Sequence, residues 1–586
     1  MLSRTCCTLV MMAVAACGTP ASSTTRANGH AALDTAPIVE IPRANLVAAV
    51  ARMAESGEGE PVLSPLERRE LVSLYAEGGS LWLDEQGRPG EQAREALALL
   101  AAAPAHGLDP VDYDLTGLDQ LAGNLASPAT PMPARTGFEV ALSLAMMRFW
   151  HDLHLGRVDP RAIGYRIPGP VDEHDFPGML RAAAADSRVR VATIELVPPL
   201  VLYRSVAREL ARYRVLADTV PPVVFQAPSA SIKPGAAFLQ APALRSRLIA
   251  LGDLPADTTP VEPAIYDGAL VSGIQRFQRR HGLEPDGAIG QRTVAALNVP
   301  LQARVGQLVL ALERLRWLPH LSPGFLAVNI PMFRLWGWDV VPLDGAPAFE
   351  MDVIVGRALN TETPVLIERM RYVTFRPYWN VPASITRSEI LPALARDPGY
   401  LAREDMEIVS GETDEATPVP ATGENLERLR LGQLRVRQRP GPKNSLGLVK
   451  FSFPNDENIY LHGTPATQLF GRPRRDFSHG CVRVQDPVAL AQWVLRDQPE
   501  WTRERILAAM SGPRPVRVDL TRPISVILFY LTAVVMPEDG TVHFADDIYG
   551  LDAGLSRALA AARPRRAGLV PPAPGAANTE RPTREP

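Results

Sequence analysis

The sequence predicts a multidomain α+β protein with a mostly helical N-terminal domain, a small helical module and a β-rich C-terminal domain. Three observations support this fold class. The chain has 586 residues, which is more than one ordinary domain contains. Its N-terminal part is rich in Ala, Leu and Glu at helical spacing. From Phe325 onwards, short β-branched and aromatic segments are bounded by Pro, Gly and Asp, as is typical of strands and turns.

The composition is that of a globular protein with several packed cores. Hydrophobic residues make up 46% of the chain and charged residues 21%. The formal net charge is −3, whereas proteins that bind nucleic acids usually present an excess of basic residues. We therefore expect no nucleic-acid partner.

The first residues have the pattern of an export signal. Arg4 precedes an apolar run that is far shorter than the ~20 residues needed to span a bilayer. The run ends in Val-Ala-Ala-Cys17, which resembles a lipobox, the site where bacterial lipoproteins are cleaved before a cysteine that carries lipid. The resemblance implies a signal peptide over residues 1–16, lipidation of Cys17 and a flexible tether over residues 17–36. A plain secretory signal with a chance cysteine is the alternative.

Cysteine usage singles out one thiol. The chain contains four cysteines, Cys6, Cys7, Cys17 and Cys481. If the signal is removed and Cys17 carries lipid, Cys481 remains in the exported protein without a disulfide partner. A lone thiol of this kind is either reactive or buried and structural, and the count alone leaves both interpretations open.

Residues 37–255 are predicted to form the helical domain. Segments 92–103 and 138–153, for example, carry apolar side chains at helical spacing. His151 and His154 lie three positions apart in the second segment, but the spacing differs from that of a zinc-protease helix and no third ligand accompanies them. We interpret both histidines as packing or surface residues.

Residues 256–300 are predicted to form a compact module of two short helices around a glycine-containing loop. An apolar stripe in the first helix is followed by glycine, which suits the position after a helix end. The string IQRFQRRHGL at 274–283, followed by Asp286, Gly287 and Gly290, resembles the peptidoglycan-binding module of many cell-wall enzymes. The resemblance implies a wall-binding unit, although such modules also serve as spacers.

The predicted β-rich domain covers residues 320–555. Its short strand-like segments are interrupted by residues 385–435, which are polar and helical in pattern and are predicted to fold as a helical insertion over the strands. Within the insertion, residues 410–423 are punctuated by Gly and Pro and suit a mobile loop. The apolar run 524–536 precedes a Pro-Glu-Asp-Gly turn and is predicted to be one buried strand. Residues 556–586, rich in Pro, Arg and Ala, are predicted to be disordered.

Two segments contain residues that suit acyl transfer, with sequences IYLHGTP at 459–465 and SHGCVRV at 478–484. A cysteine has a reference pKa of ~8.5, so Cys481 needs a nearby base or cation to act as a nucleophile. His462 and His479 are candidate bases, and neighbouring glycines let backbone amides approach and stabilise an oxyanion. A metal site would need a further ligand at suitable spacing, and neither segment has an acidic residue or a second cysteine. We expect no metal.

The two segments resemble the signature of the L,D-transpeptidase (YkuD-type) catalytic domain. Several other segments are similar to the long, multidomain, YcbB-like branch of this family, namely 107–110, 156–160, 375–382, 440–444 and 546–550. The resemblance covers most of residues 60–555. It implies a helical scaffold domain, a peptidoglycan-binding module and a β-rich catalytic domain whose insertion at 385–435 is a lid.

The resemblance also implies roles for individual residues. Cys481 would be the nucleophile and His462 the base, with the carbonyl of Gly463 orienting the imidazole ring. The amides of Gly480 and Cys481 would form the oxyanion hole. His479 is treated as an auxiliary residue, because the YcbB-like branch often has serine at this position.

Four further residues are implied to bind substrate, namely Arg483, Tyr460, Trp379 and Asn380. Arg483 would contact the substrate or brace the catalytic loop, and the aromatic residues would line the donor and acceptor channels. Ordinary packing is the alternative for Tyr460 and Trp379.

The resemblance implies that a tetrapeptide stem of peptidoglycan is the donor and a neighbouring stem the acceptor, which gives 3→3 cross-links. Attack by water instead of the acceptor amine would make the enzyme an L,D-carboxypeptidase, and an outer-membrane protein is a third possible acceptor. No cofactor is expected, and carbapenems are implied as covalent inhibitors. A catalytically inactive peptidoglycan-binding lipoprotein is the rival interpretation, although such a protein would be expected to lack the cysteine or the base.

The implied location is the periplasmic side of the cell envelope, with a lipid anchor. Gly18 after Cys17 does not suggest retention in the inner membrane, which favours the outer membrane.

Overall fold

A computed structural model of the chain describes nine stretches, which are residues 40–55, 63–127, 129–168, 174–258, 264–318, 324–339, 347–357, 361–411 and 415–562. The predicted signal peptide, the predicted lipidation site Cys17 and the predicted tether lie outside the described residues, as do residues 563–586 of the predicted tail.

The N-terminal domain is helical, as predicted. Its helices are α1 Arg43–Glu55, α2 Pro65–Leu74, α3 Glu91–Ala101, α4 Leu115–Asn124, α5 Met132–His154, α6 Phe176–Ala185, α7 Val189–Glu195 and α8 Val201–Thr219. Helix α5 is buried along most of its length and forms the centre of the domain. On α5, His151 contacts Glu70 at 2.9 Å and His154 contacts the carbonyl of Leu196 at 3.1 Å. Both histidines are therefore used in packing between helices.

The module contains helices α9 Ala241–Leu251, α10 Gly268–Arg280 and α11 Gln291–Leu297, and α12 Leu301–Arg316 follows it and packs against α8. The side chain of Gln278 ties the loop to α10, because its amide accepts from the Gly287 N–H and donates to Asp286, both at 2.9 Å. Gly287 has φ +70°, a conformation that favours glycine. Helix α9 packs on α10 in one hydrophobic cluster, so this helical unit begins before residue 256.

The C-terminal domain begins with four strands, β1 Phe325–Asn329, β2 Arg334–Trp338, β3 Phe349–Gly356 and β4 Leu366–Phe375. The insertion follows as β5 Trp379–Asn380, α13 Ala383–Ile385, a π-helical turn Thr386–Ile390, α14 Leu391–Arg396, α15 Tyr400–Arg403, β6 Met406–Ser410, β7 Thr417–Val419, α16 Gly423–Arg430 and β8 Arg435–Gln438. The remaining elements are β9 Val449–Ser452, β10 Leu461–His462, β11 Asp476–Ser478, β12 Val482–Val484, α17 Pro487–Val494, α18 Arg503–Ser511, β13 Val516–Phe529, β14 Ala533–Val535, β15 Val542–Phe544 and α19 Leu551–Ala562.

The nine-stranded sheet has the order β11-β3-β12-β10-β9-β4-β13-β1-β2, and β2 also pairs with β3. This additional pairing closes the sheet on itself around one large hydrophobic cluster. Strand β10 lies between β9 and β12, so both flanks of β10 are hydrogen-bonded. The residues at its end are held by the sheet.

The insertion is a mixed α/β unit, so the prediction of a helical insertion missed its strands. Its four-stranded sheet has the order β5-β8-β6-β7, and it has a hydrophobic cluster of its own. The unit extends from β5 to β8, beyond the predicted bounds 385–435. Residues 410–423, predicted as a mobile loop, contribute strand β7, which pairs with β6 in this sheet.

Two predictions at the C-terminal end also need correction. The apolar run 524–536 is not one strand, because β13 ends at Phe529 and β14 begins at Ala533. The tail predicted to be disordered from residue 556 starts inside α19, which continues to Ala562. Leu555 and Leu559 lie one helical turn apart and are buried, which anchors this helix on the domain.

Within the described stretches, no single helix combines the length and apolar character that a membrane span requires. Helices α11 and α12 meet the requirement only as a pair, and they are bent by 78°.

Candidate active site

The two predicted motifs meet on one face of neighbouring parallel strands. In the pairing of β10 with β12, Leu461 lies opposite Val482 and His462 lies opposite Arg483. Leu461 and Val482 are buried in the hydrophobic core. Because side chains alternate along a strand, His462 and Arg483 face away from that core. Cys481 immediately precedes β12 and packs partly against the core.

These side chains line a cavity of about 250 Å³ between the nine-stranded sheet and the insertion. The sheet side, which we call the floor, contributes Tyr460, His462, Ser478, His479, Cys481 and Arg483. The insertion and its connections, which we call the roof, contribute residues that include Trp379, Glu389, Tyr400, Glu404, Gln438 and Lys443. Within residues 410–411 and 415–423, no residue lines the cavity.

His462 is held in one orientation. Its side chain is buried, and its Nδ1 lies 2.6 Å from the carbonyl oxygen of Gly463. Since a carbonyl only accepts hydrogen bonds, Nδ1 carries the proton and Nε2 has a free lone pair. Burial, together with the cations of Arg483 and Lys450, lowers the pKa of His462 to about 3. His462 is therefore neutral at pH 7 and can accept a proton through Nε2.

The Cys481 thiol is also neutral at rest. Burial raises its pKa, while hydrogen bonds from the backbone and side chain of Tyr460, with the charges of Lys450 and Arg483, act in the opposite direction. Its Sγ lies 3.6 Å from the carbonyl oxygen of Asn458. A protonated thiol beside a neutral imidazole is suited to nucleophilic attack in which the proton leaves as the new bond forms.

The backbone at Gly480 has a conformation that favours glycine. Its φ is +110°, and a Cβ at this position would lie 3.3 Å from Ile459. The Gly480 amide donates to the hydroxyl of Ser478 at 3.2 Å, and that hydroxyl donates to the carbonyl of Cys481 at 2.5 Å. The Gly480 amide is thus already engaged, which leaves the Cys481 amide as the remaining donor of the predicted oxyanion hole.

Two cations lie on either side of His462 in the sheet, and of these Arg483 lines the cavity. Lys450 on β9 and Arg483 on β12 both lie opposite His462 in the strand pairing. The ammonium of Lys450 stands 4.0 Å from the centre of the Tyr460 ring. Arg483 is half-buried, and among the residues that the structure describes its Nε has no hydrogen-bond partner. Sequence analysis missed Lys450, because it precedes both motifs and lies on a strand that no motif marks.

His479 faces the roof. Its Nε2 lies 2.6 Å from Oε1 of Glu389 in the π-helical turn of the insertion. This contact bridges the catalytic segment and the insertion, and sequence analysis gave no signal for Glu389. The predicted substrate-binding residues divide into two groups, because Trp379 lines the cavity whereas Asn380 does not, although it pairs with Arg437 in the neighbouring strand.

A larger cavity of about 420 Å³ lies between the module, the first strands and the β14–β15 hairpin. It contains none of the motif residues at 459–465 and 478–484. In the described part of the chain, no group of three or more His, Cys, Asp or Glu side chains has a geometry that could hold a metal ion.

Comparison with known families and proteins agrees with this division of the chain. Residues 323–518 match the YkuD model, described as the L,D-transpeptidase catalytic domain, residues 69–210 match a "Scaffold domain", and residues 240–297 match a "Putative peptidoglycan binding domain". The chain is also 32% identical over 246 residues to a "Putative L,D-transpeptidase" of Haemophilus influenzae. That match covers 42% of this chain and 48% of the relative, so the chain spans about half the length of the curated relative it matches.

Proposed function

We propose that this chain, which carries a YkuD L,D-transpeptidase catalytic domain beside a scaffold domain and a peptidoglycan-binding domain, forms 3→3 cross-links in peptidoglycan through a thioester on Cys481. The observation that carries the proposal is the common face of β10 and β12, where Cys481 and His462 open into one cavity. The ring of His462 is already oriented by the Gly463 carbonyl, so its Nε2 is available as a base.

In the first half of the reaction, Sγ of Cys481 attacks the carbonyl carbon between diaminopimelate and the terminal D-Ala of a tetrapeptide stem. Nε2 of His462 takes the thiol proton as the S–C bond forms. The Cys481 amide stabilises the oxyanion. When the intermediate collapses, the C–N bond breaks and the D-Ala amine takes the proton from His462, which leaves a thioester.

In the second half, the side-chain amine of diaminopimelate on another stem attacks the thioester carbonyl. His462 takes a proton from this amine and returns it to the departing sulfur, which restores the resting enzyme. The cations Lys450 and Arg483 flank the reacting atoms and suit the carboxylates of the stems, because both side chains stand on the same face as His462.

Mass spectrometry of muropeptides tests this function. Purified tetrapeptide-rich peptidoglycan is incubated with the protein, digested and analysed. We expect dimers linked between two diaminopimelate residues. Tripeptides without dimers would instead assign L,D-carboxypeptidase activity. Neither product from folded protein would overturn the proposal and favour the inactive peptidoglycan-binding alternative.

Covalent labelling tests the acyl-enzyme separately. A carbapenem should add its mass to the protein on Cys481, because opening of the lactam ring gives a thioester that lacks a leaving group. Peptide mapping after digestion identifies the labelled residue. An adduct elsewhere, or none, would contradict the assignment of Cys481.

We also propose that lipid on Cys17 anchors the protein on the periplasmic side of the outer membrane. Cys17→Ser should release the protein from membranes, since lipid chains would supply its membrane affinity. Cys7→Ser is the matched control, because it removes a thiol of the predicted signal peptide and should leave anchoring unchanged. Unchanged fractionation of the Cys17→Ser variant would rule out the anchor, and a density gradient identifies the membrane.

A further inference from the structure

The peptide unit between Gly480 and Cys481 couples the direction of the Gly480 carbonyl to the direction of the Cys481 N–H. A peptide unit is planar and trans, so its carbonyl oxygen and its N–H point in opposite directions. Whatever fixes the Gly480 carbonyl therefore also fixes the direction of the Cys481 N–H. This amide belongs to the nucleophile itself, and the neighbouring Gly480 amide is engaged by Ser478.

The Gly480 carbonyl is held by Thr363. The Thr363 hydroxyl donates to this oxygen at 2.7 Å and accepts from the N–H of Gly356 at 2.8 Å. A hydroxyl has one hydrogen, and an amide N–H can only donate, so the direction of both bonds is defined. Thr363 is only 1% exposed, which excludes water as a competing partner.

Tyr549 in turn holds Thr363. Its phenolic oxygen accepts from the Thr363 N–H at 3.2 Å and donates to the Gly356 carbonyl at 2.5 Å. The Tyr549 backbone N–H donates to the hydroxyl of Tyr530 at 3.0 Å. The turn after β15 is thereby linked through Thr363 to the backbone of the catalytic segment.

We propose that Thr363 is a positioning residue that directs the Cys481 N–H at the oxyanion, and that Tyr549 holds Thr363 in place. The inference rests on the proposed acyl transfer, because it concerns the donor that stabilises its tetrapeptide-derived oxyanion. A donor contributes to catalysis only where its direction is fixed before the charge develops. Thr363 supplies that fixed direction through the peptide plane, without touching substrate.

Two reactions of the same thiol separate this role from a purely structural one. Acylation by a carbapenem passes through an oxyanion, whereas alkylation by iodoacetamide is a displacement at a saturated carbon and forms none. Both reactions need the sulfur of Cys481 and the loss of its proton. The ratio of their rates therefore reports the oxyanion donor and is insensitive to a general disturbance of the thiol.

Thr363→Val removes the hydroxyl and keeps the shape of the side chain, while Thr363→Ser retains the hydroxyl. We expect Thr363→Val to slow acylation by about 10²-fold, the order seen when an oxyanion donor is lost, with alkylation within about twofold of wild type. Thr363→Ser should stay within about threefold in both reactions. An equal loss of both rates, or no loss of acylation, would overturn the proposal.

Tyr549→Phe keeps the test decisive if Thr363→Val does not fold, as judged by thermal unfolding. It removes only the hydroxyl that holds Thr363, and we expect a three- to tenfold loss of acylation with unchanged alkylation. Unchanged acylation, or an equal loss of both rates, in this variant would count against the proposal. Wild-type protein that is acylated by the carbapenem but yields neither dimers nor tripeptides would contradict the proposed function and leave the role of Thr363 intact.

Discussion

The floor and the roof of the catalytic cavity are built in different ways. The floor is built on β10 and β12 inside a closed sheet, where strand pairing fixes the backbone of His462 on both sides and Cys481 immediately precedes β12. The roof is a separate unit with its own sheet and its own hydrophobic cluster. It meets the catalytic segment through the contact of Glu389 with His479.

The two chain connections of the roof are tied to each other by side-chain hydrogen bonds, one of which joins Arg376 to the carbonyl of Pro440. The side-chain amide of Asn444 is buried and donates to the carbonyls of Pro377, before the insertion, and Arg439, after it. A unit with an independent core and one narrow neck can move as a body, whereas the floor cannot move without breaking strand pairs. We therefore expect the roof to shift more readily than the floor.

The largest expected effect comes from the nucleophile on the floor. Cys481→Ala should abolish the carbapenem adduct and the 3→3 dimers, because no other group supplies the thioester. The side chain is small and only partly buried, so the thermal midpoint should stay close to that of wild type. Mass spectrometry of protein and muropeptides measures the loss. Undiminished dimer formation by this variant would refute the mechanism.

The two histidines distinguish the floor from the roof directly. His462→Ala should slow acylation at least ~10²-fold, the contribution of a positioned general base. His479→Ala should cost less, since its Nε2 is directed at Glu389 on the roof. Stopped-flow measurement of carbapenem acylation compares both variants. If His479→Ala is the more damaging change, the roles assigned to the two histidines must be exchanged.

The floor was more accessible to sequence analysis than the roof. Its key residues lie in two contiguous motifs, so their strings alone predicted a common site for His462 and Cys481, and the structure places both in one cavity. Lys450 and Thr363 were missed, because only strand pairing and buried hydrogen bonds bring them to the motifs. No local pattern marks such residues.

The strands of the roof were missed for a different reason. Strand β6 has the sequence MEIVS, with three apolar positions, and strand β8 has RVRQ, with one. A period of two over so few residues is too short to compete with the surrounding helical pattern. The fold class of the larger domains was predictable, because each has a long run of one periodicity.

The effect of neighbouring charges on the Cys481 thiol can be measured through the pH dependence of its alkylation. Burial raises the pKa of Cys481, so the iodoacetamide rate should still be rising above pH ~8.5, the ordinary thiol value. His462 has a pKa of about 3 and should add no inflection between pH 5 and pH 8. Lys450 lowers the thiol pKa, so Lys450→Met should move the profile to higher pH.

Lys233→Met is the matched control, because Lys233 is exposed, whereas Lys450 is one of the charges that lower the pKa of Cys481. It makes the same change in net charge and should leave the profile in place. An equal shift in both variants would mean that the overall charge of the protein, and not the local charge of Lys450, controls the pKa of the Cys481 thiol.

The smallest effect is expected at the contact between roof and floor. Glu389→Gln keeps the size of the side chain and removes its charge, which weakens the bond to His479. Partly exposed ion pairs contribute up to about 1 kcal/mol. Weakening this pair should therefore reduce the population of molecules in which the roof covers the floor by about two- to fivefold. A less closed roof admits more water to the thioester. The ratio of tripeptide to dimer should therefore rise by a similar factor, while acylation by a small carbapenem changes little.

The control and a double variant make this last prediction specific. Glu424→Gln alters an exposed carboxylate of the same insertion and should leave the product ratio unchanged. If Glu389 acts through His479, the double variant Glu389→Gln/His479→Ala should show no larger product ratio than His479→Ala alone, because the first change has then no partner left to weaken. Additive effects would mean that Glu389 acts on the cavity by another route. An unchanged ratio in Glu389→Gln would mean that the Glu389–His479 contact does not control the choice between amine and water.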